Sequence, residues 1–589
     1  FAGQFHTELG VRDEAALRAA LREVMASQLR TTAYGGRAGA AAAVVQEMIE
    51  PECAGVAFLR DPATGSGILI ESVEGRGDAL VSGRAAPLRL RILGEERTGS
   101  THLSPALERD LAARVAAVSR QLGAAQDIEW AVAGGRLWLL QTRPQTPTAA
   151  TLVADLRAST RRRTAWSALY SLAETCPAPT PMTWEFLQAL TSWEGGYGRA
   201  FRRLGLFFRA DVRREGFLRL VGARLYADLD REAGTYFGEW PLAHDLEALR
   251  TSPAAASRPE PRPDWTRASL RLWLTLPWYI WKLLAAQRTI DRALVTFPAE
   301  YARFETGERT WWAAAAPAST GAEIAARFER AAGRVGEFAV AASVLAATVF
   351  ERTPVARRRE LRPWIGADLA HRGPREMELA APRWRELPAE FERLRASAPP
   401  PREGDGVYAL RERGKDLLLR AVDVLRRDLL LAGERTGLGS DVFFATLGEL
   451  DRPDPAAAAA RRSAREALLR IPLPPLIFHE DAPAPAAAHA GTGLAPGTAQ
   501  GTALLPDSIA ACSPAADAVL VLPDLDPAWT LLFTRVRAVV TERGGMLSHG
   551  AIVARELGVP CVCVPDARAR FREGMRLRVD GDAGTAEPA

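Results

Sequence analysis

The stretch Thr541-Glu-Arg-Gly-Gly-Met-Leu-Ser-His-Gly-Ala-Ile-Val-Ala-Arg-Glu-Leu-Gly-Val-Pro560 decides the fold of the C-terminal part of the chain. The apolar, valine-rich residues 536–540 before it predict a buried strand, and a glycine pair then opens a loop. Ser548 is a typical helix N-cap, and residues 550–557 have the apolar spacing of a helix that a glycine and a proline end. The stretch therefore predicts that His549 lies at a helix N-terminus.

A histidine in this position suits phosphate chemistry. A helix N-terminus offers free N–H groups and a positive dipole end to an anion, and neutral imidazole is a competent nucleophile. We expect His549 to accept a phosphoryl group, with Ser548 as hydrogen-bond partner and Arg555 or Arg543 as counter-charge. For a lone histidine, an ordinary position at a strand–helix junction is the alternative.

The whole string resembles the phosphohistidine signature of the phosphoenolpyruvate-utilising enzymes, which include phosphoenolpyruvate synthase, pyruvate phosphate dikinase and rifampin phosphotransferase. The matching residues are Gly544, Gly545, Ser548, His549, Ala551, Ile552, Ala554, Arg555, Glu556, Gly558 and Pro560. The resemblance implies a swivelling domain that carries the phosphoryl group, and we assign it to residues 494–589. The Pro- and Ala-rich residues 479–493 before it are typical of a tether for a domain that moves.

Length and composition bound the other function classes. A chain of 589 residues contains several domains, and 48% apolar residues are ample for their cores. The sequence pI near 8.9 comes from widely spread arginines, which does not indicate a nucleic-acid surface. Five scattered cysteines favour buried thiols in a reducing cytoplasm. The sequence begins at Phe1 without a signal peptide, and we expect a fragment whose true N-terminus is missing.

Residues 1–146 predict a small helix-and-strand domain. The predicted elements are a helix over 14–27, paired strands over 43–49 and 54–59, further strands over 68–73 and 79–83, and a hairpin of 127–133 with 136–143. Gly134-Gly135 supplies the hairpin turn. The set resembles the second half of the ATP-grasp nucleotide-binding domain of the same family, and we expect the first half of that domain to lie before Phe1.

This resemblance implies a nucleotide site with ATP and Mg²⁺. Gln46 and Met48 line the adenine pocket, Glu129 and Gln141 ligate Mg²⁺, and Arg143 clamps phosphate. The residue types agree with the roles, because Mg²⁺ prefers oxygen ligands and a guanidinium pairs with phosphate in a bidentate way. An exposed hairpin carboxylate is the alternative for Glu129.

The metal assignment makes a geometric demand on the hairpin. A plain two-residue turn sets Glu129 opposite Leu140, and Gln141 then points to the other face. For Glu129 and Gln141 to share a metal ion, we expect a loop with an odd number of residues, as in a three-residue turn with a glycine bulge.

The middle of the chain predicts a linker over 147–165 and a mainly helical acceptor-binding domain over 166–478. The run Leu272–Ala286 is shorter than the ~20 residues of a membrane span and contains a proline and a lysine, so we reject a span. Trp273 and Trp281 in this run are candidates for the walls of an apolar pocket, with plain core packing as the alternative.

A second string in the middle domain resembles a family motif of the form Gly-His-Arg…Glu…Pro-Arg-Trp. In this sequence it contains His371, Arg372 and Glu376, which are candidates to touch the acceptor or to take the proton from its hydroxyl. A structural polar cluster is an equally good interpretation.

Together these features predict a multidomain α/β plus all-α protein: a partial ATP-grasp domain, a helical middle domain and a C-terminal swivelling phosphohistidine domain. The resemblance implies a cytoplasmic dikinase-type phosphotransferase that moves the β-phosphoryl group of ATP through His549 to an acceptor hydroxyl, giving AMP and phosphate. The domain order is that of rifampin phosphotransferase, because the chain ends too soon after His549 for the (β/α)₈ barrel of the pyruvate enzymes.

Two alternatives remain at this point. One is a phosphoenolpyruvate synthase-like enzyme that acts on pyruvate with a partner domain, and the other is a truncated, non-catalytic or partner-dependent relative. We expect the chain as given to be inactive alone, and we expect partners to be ATP and an unidentified small hydroxyl compound, with neither nucleic acid nor membrane.

Overall fold

A computed structural model describes most of the chain in two compact units, residues 1–155 and residues 156–589. The residues that it does not describe are 1–6, 31–42, 63, 78–86, 161, 252–260, 269, 355–356, 359–360, 367, 398–399, 481–490, 510–511, 513, 526 and 544–548. Four sequence predictions fall wholly or partly among them: the strand over 79–83, most of the tether over 479–493, the loop opened by Gly544-Gly545 and the helix cap at Ser548.

The first unit is built on a six-stranded antiparallel sheet with the order β4-β3-β2-β1-β5-β6. Its strands are β1 (Cys53–Phe58), β2 (Ile68–Glu74), β3 (Leu88–Leu93), β4 (Glu96–Gly99), β5 (Gln126–Ala133) and β6 (Arg136–Pro144), and its helices are α1 (Glu14–Arg30) and α2 (Pro105–Leu122). Ile128 and Trp130 of β5 pack with Leu111 of α2 in one apolar cluster. Because strand side chains alternate, Asp127 and Glu129 lie on the opposite, polar face of the sheet.

The predicted strand over 43–49 is wrong. Residues 43–50 lie outside any strand or helix. The reason is the position of β1, which is paired on one side with β2 and on the other with β5. Both edges of β1 are hydrogen-bonded to other strands, so residues 43–49 cannot pair with β1.

The second unit starts with helices and a small sheet that the sequence did not indicate. The sheet has the order β12-β7-β9-β8, with β7 (Ala165–Ser167), β8 (Leu218–Val221), β9 (Arg224–Asp228) and β12 (Leu476–Phe478). β7 and β12 are antiparallel neighbours, with Ala165 opposite Phe478. The middle of the chain is therefore mixed rather than purely helical, because strands of three to five residues are too short to leave a periodic signal.

Helices form the bulk of this middle region. In chain order they are α3 (Ala149–Ala158), α4 (Ser171–Thr175), α5 (Pro181–Thr191), α6 (Gly196–Arg203), α7 (Ala210–Glu215), α8 (Leu229–Ala233), α9 (Leu246–Thr251), α10 (Leu270–Ala313), α11 (Gly321–Glu329), α12 (Gly336–Arg352), α13 (Pro388–Ser397), α14 (Gly406–Thr436) and α15 (Pro455–Leu469). A two-stranded sheet, β10 (Leu242–Ala243) with β11 (Arg262–Pro263), lies between α8 and α10. The core is the apolar face of α14, packed against α12, and the same apolar cluster includes residues of α5.

One helical stretch of this core, Gly321–Arg352, is long and apolar enough to cross a membrane by length and composition. Half of its most apolar window is buried inside the protein, and core helices of water-soluble folds pass the same test. The run Leu272–Ala286 lies instead inside α10, a helix of 44 residues that contains two prolines.

The C-terminal residues form a seven-stranded sheet with the order β13-β17-β16-β15-β14-β18-β19. Its strands are β13 (Thr492–Ala495), β14 (Thr498–Leu504), β15 (Ala518–Leu522), β16 (Ala538–Thr541), β17 (Cys561–Cys563), β18 (Arg576–Asp580) and β19 (Thr585–Pro588). The four strands β14 to β17 are parallel. The helices are α16 (His549–Leu557) and α17 (Ala567–Arg570), so the predicted strand, helix and strand around His549 are confirmed.

Candidate functional site

The hairpin of β5 and β6 places Glu129 directly opposite Gln141. Its turn holds only two residues, Gly134 and Gly135, and both have the positive φ (59° and 69°) that such a tight turn requires. The expected odd-numbered loop is therefore wrong. The extra residue is Leu140, because Trp130 pairs with Leu139 while Glu129 pairs with Gln141. This bulge within β6 sets Glu129 and Gln141 on one face by another route.

Glu129 is half-buried on the polar face of the sheet and, among the described residues, has neither a hydrogen-bond partner nor an ion pair. Burial raises the pKa of its carboxyl group, Arg143 lowers it and Asp127 raises it further, with a net upward shift. A carboxylate that is partly removed from water and has no ion-pair partner is destabilised in its charged form. A bound cation removes this cost, so the position favours a metal ion. One carboxylate and one amide oxygen are a typical protein share of a Mg²⁺ site, in which phosphates and water complete the ligand set.

Arg143 lies two residues beyond Gln141 and shares its face. Its side chain binds Asp127, with Nε 2.8 Å and Nη2 2.6 Å from Oδ2. Asp127 is 7% exposed whereas Arg143 is 42% exposed, so the guanidinium is anchored at one edge and keeps N–H groups at the surface. This arrangement is suited to holding phosphate, since the carboxylate fixes the orientation of the cation.

The two residues expected at the adenine lie at the surface of the part of this unit that the structure describes. Gln46 and Met48 are both exposed, Met48 by 44%, and they lie in the segment without secondary structure. A cavity of about 330 Å³ nearby is lined by Cys53, Val132 and His102 among others, and does not include Glu129 or Gln141. Among the described residues, no three His, Cys, Asp or Glu side chains converge on a metal position.

His549 is the first residue of α16, which follows β16 at the carboxyl end of the parallel strands. Leu525 explains the glycine beside it, since a Cβ on Gly550 would lie 2.8 Å from the Cβ of Leu525. The first turn of α16 therefore rests on the loop after β15. Ligands bind at this end of parallel strands in many α/β folds, and a helix N-terminus there favours an anion.

Three polar residues were predicted beside His549, and the structure describes only some of them in full. Ser548 lies outside the described residues, and Arg555 lies within α16. Arg543 is half exposed, with its Nε 3.4 Å from the carbonyl oxygen of Pro523 and its Nη2 3.7 Å from Asp524 Oδ2. These contacts are long, so Arg543 keeps most of its capacity to bind an anion.

In the middle domain the three candidates His371, Arg372 and Glu376 are brought together beside α14. The Nε2 of His371 lies 2.9 Å from Asp416 Oδ1. Glu376 forms two ion pairs, with Oε1 3.1 Å from Arg372 Nε and Oε2 2.6 Å from Lys415 Nζ. His371 and Glu376 are almost fully buried.

The carboxyl group of Asp416 illustrates how strongly this cluster is paired. Burial alone would raise its pKa, but His371, Arg420 and Arg309 together hold it well below the usual range. A carboxylate that orients an imidazole is also the arrangement of a general base and its partner.

A second buried carboxylate, Glu378, ties this segment to the start of α5. It accepts hydrogen bonds from the Thr180 backbone N–H at 3.1 Å, the Thr180 hydroxyl at 2.8 Å and the Thr183 hydroxyl at 2.6 Å. The segment that contains His371 and Glu376 is therefore hydrogen-bonded, through Glu378, to the first turn of α5.

The two tryptophans proposed as pocket walls are exposed on α10. Trp273 is 53% and Trp281 60% exposed. The ring of Trp273 lies 5.6 Å from that of Trp265, and the ammonium of Lys282 lies 5.6 Å from the ring of Trp281. Core packing, the alternative for both residues, is wrong, and they form an open aromatic surface rather than an enclosed cavity.

Three charged neighbours of the candidate residues were not predicted from the sequence. Asp127 was recognisable, because it stands two residues before Glu129 on the same strand face. Asp416 and Lys415 were not, since they lie about forty residues from His371 on another element, and no local pattern links a buried helix position to a distant loop.

Comparisons with known proteins agree with this architecture. The model of the PEP-utilising enzyme mobile domain matches residues 514–584, which include His549. The model of the pyruvate phosphate dikinase AMP/ATP-binding domain matches residues 1–102 and 91–163, which include Glu129, Gln141 and Arg143.

Among curated relatives, a rifampicin phosphotransferase of Streptomyces sviceus is 25% identical over the whole of this chain and 84% of its own length. The uncharacterized protein Rv2047c of Mycobacterium tuberculosis is 33% identical over 37% of this chain and 30% of its own length. A rifampicin phosphotransferase of Bacillus subtilis is 44% identical over 70 residues, which are 12% of this chain and 8% of that protein. A solved UPF0107 protein covers 17% of this chain at 18% identity with a TM-score of 0.15, too low to support an argument.

Proposed function

Because this chain belongs to the phosphoenolpyruvate-utilising enzymes, we propose that it is an ATP-dependent phosphotransferase that moves a phosphoryl group through His549 to an acceptor hydroxyl. The observation that carries the proposal is the pairing of Glu129 with Gln141 on one face with Arg143, in the region that matches the nucleotide-binding domain. The same chain holds His549 at the start of a helix, in the region that matches the mobile domain.

In this proposal Glu129 and Gln141 would hold Mg²⁺, which would supply positive charge against the ATP phosphates, and Arg143 binds a phosphate group. His549 attacks the β-phosphorus, the bond between the α- and β-phosphates breaks, and AMP leaves. Water then releases the γ-phosphate as inorganic phosphate, and the β-phosphoryl group stays on His549. Positioning and charge neutralisation provide most of the catalysis in such transfers.

The acceptor step belongs to the middle domain. An oxygen of the acceptor attacks the phosphoryl group on His549, and its proton passes to a base, for which His371 with its partner Asp416 is our candidate. Arg372 and Glu376 hold the segment beside it. The exposed rings of Trp273 and Trp281 favour a bulky, apolar hydroxyl compound over pyruvate, which is small and charged.

The test uses the full-length protein with Mg·ATP labelled at the β-phosphate. We expect an acid-labile, base-stable adduct on the protein, formed together with AMP, and no adduct with His549→Ala. ATP labelled at the γ-phosphate should give labelled inorganic phosphate.

Two results would contradict the proposal. An adduct of equal size in His549→Ala would remove His549 from the reaction. AMP release stimulated by pyruvate, with phosphoenolpyruvate as product, would replace the bulky acceptor with the pyruvate reaction.

A further inference from the structure

The outward face of the first half of α10 is mainly apolar. Its exposed side chains recur at the helical spacing of three and four residues, so they share one face of the helix. The buried residues Leu272, Tyr279 and Ala286, seven positions apart, lie on the opposite face, against the protein. The exposed set, which we call the α10 strip, consists of side chains that are between 47% and 77% exposed: Leu270, Trp273, Leu274, Trp278, Trp281 and Leu284.

The α10 strip reverses the usual pattern of a surface helix, which turns its polar side chains to the solvent. Leu270 and Leu274 are 76% and 77% exposed, so they project from the protein and do not line a groove. The ring of Trp273 extends the apolar surface to the exposed ring of Trp265, which lies 5.6 Å away. Exposed apolar surface that is contiguous over several large side chains marks a site of interaction with another molecule.

The charged residues on and beside the α10 strip are cations. From residue 265 to residue 290 the sequence contains no Asp or Glu and four basic residues: Arg267, Arg271, Lys282 and Arg288. Arg267 is paired with Asp230, at 3.1 Å. Lys282 and Arg288 form no ion pair among the residues that the structure describes, and the ammonium of Lys282 lies 5.4 Å from the ring of Trp278. The strip therefore favours an anionic partner.

A lipid surface fits the strip better than a second copy of this chain does. Two copies would bring two sets of cations together, which is unfavourable. At an anionic lipid surface, tryptophan and leucine side chains enter the boundary between headgroups and acyl chains, while lysine and arginine side chains stay at the phosphates. A helix that binds in this way lies in the plane of the membrane, so the length needed for a span does not apply.

We propose that the α10 strip binds the helical domain to an anionic lipid surface. This proposal replaces the expectation from sequence that the protein has no membrane partner, because that expectation considered only a span. It does not rest on the proposed function. It is compatible with that function, since a bulky apolar hydroxyl compound partitions into the same lipid layer.

Flotation of the full-length protein with lipid vesicles tests the proposal. One set of vesicles is phosphatidylcholine alone, and in the other about a third of the lipid is phosphatidylserine. We expect binding to be at least about tenfold tighter to the anionic vesicles and to weaken as salt is added. Trp273→Gln/Trp281→Gln should weaken this binding at least about tenfold, because two rings that enter the lipid boundary become polar.

A matched pair of single variants controls for a general effect of lost apolar surface. Leu284 and Leu122 are 55% and 54% exposed, but only Leu284 belongs to the strip. We expect Leu284→Gln to weaken binding at least about threefold and Leu122→Gln to leave it unchanged. Lys282→Glu/Arg288→Glu should remove the preference for anionic vesicles.

Three results would overturn the proposal. The first is absence of binding to the anionic vesicles, or equal binding to both kinds. The second is unchanged binding in the double tryptophan variant or equal losses in Leu284→Gln and Leu122→Gln. The third is a dimer in analytical ultracentrifugation that Leu284→Gln dissociates, which would assign the strip to a second copy of the chain.

Discussion

Two polar regions of this protein differ in how many of their charged side chains form ion pairs. One is the face of β5 and β6 that carries Glu129, and the other is the cluster of Glu376 and Asp416 beside α14. Glu129 and Gln141 have no hydrogen-bond or ionic partner among the described residues, and the pKa of Glu129 is raised. Glu376 has two cations within hydrogen-bond distance. The pKa of Asp416 in the same cluster is held far below the usual range.

This difference separates two kinds of polar cluster that look alike in sequence. A carboxylate with its full set of protein partners contributes to stability whether or not a ligand binds. A half-buried carboxylate without a partner is a cost to the folded protein, and a cation that binds there removes the cost. The comparison predicts that substitutions at the two places change different quantities.

The largest effect on stability should come from Glu376→Gln. The change leaves Arg372 and Lys415 without their shared carboxylate, and we expect a loss of about 3 kcal/mol in the free energy of unfolding. That is the low end for a broken buried pair, because Lys415 keeps 21% of its side chain exposed. Urea unfolding measures it, with the exposed Glu392→Gln on α13 as control, for which we expect less than ~0.5 kcal/mol. Equal midpoints for the two variants would place Glu376 outside any stabilising network.

The substitution Glu129→Gln should lower activity and leave stability unchanged or higher. We expect Mg·ATP-dependent labelling of His549 to fall at least about tenfold, since the metal loses a charged ligand. The urea midpoint should stay the same or rise, because the side chain no longer carries an unpaired charge. Glu96→Gln, at the exposed start of β4, is the matched control. A fall in stability without a fall in labelling would make Glu129 a structural residue and defeat the metal assignment.

The pH dependence of stability should distinguish the carboxyl group of Glu129 from that of Asp416. Because the pKa of Glu129 is raised in the folded state, the unfolded chain releases this proton first, and the group lowers stability as pH rises through that range. Mg²⁺ competes with the proton, so metal binding should be lost on acidification at a higher pH than for an ordinary glutamate.

A carboxyl ¹³C NMR titration checks this directly. Asp127→Asn should shift the Glu129 midpoint downward, because Asp127 raises that pKa. Asp416 has a lowered pKa, so its contribution to stability should persist until the solution is more acidic than the usual aspartate range. A Glu129 midpoint below that of a free glutamate would contradict the interpretation of an unpaired carboxylate.

The smallest effect should come from deleting Leu140. Without the bulged residue, Leu139 and Gln141 become neighbours, and a plain ladder still sets Gln141 opposite Glu129. We expect labelling within about threefold of the unchanged protein. Deletion of Gln141 is the contrast, because Glu129 then faces Leu140 or Thr142, and labelling should fall as in Glu129→Gln. Equal losses for both deletions would show that the bulge itself shapes the site.

Local patterns predicted what depends on local structure. The strand and the helix around His549 follow from apolar spacing, and the helix begins at the expected place. The hairpin of β5 and β6 was predicted for the same reason. The shift at Leu140 was not, because a bulge inside a strand changes the pairing without changing composition.

Long-range features lay beyond such patterns. The segment 43–49 looks like a strand, but β1 has no free edge to receive it. The pairing of His371 with Asp416 depends on how a loop packs on α14. Trp281 shows another limit of local patterns. Its apolar run suggested core packing as one interpretation, but its side chain is exposed.

The pairing of β7 with β12 has a consequence for how this protein can change. Ala165 and Phe478 are Cα partners, so the chain enters and leaves the intervening three hundred or so residues at the same place. A segment whose ends meet can be exchanged for another of different length without moving what comes before or after it. Recombination at this strand pair would replace the intervening region, to which we assign the acceptor, as one piece. The two ends, to which we assign the phosphate chemistry, would be inherited intact.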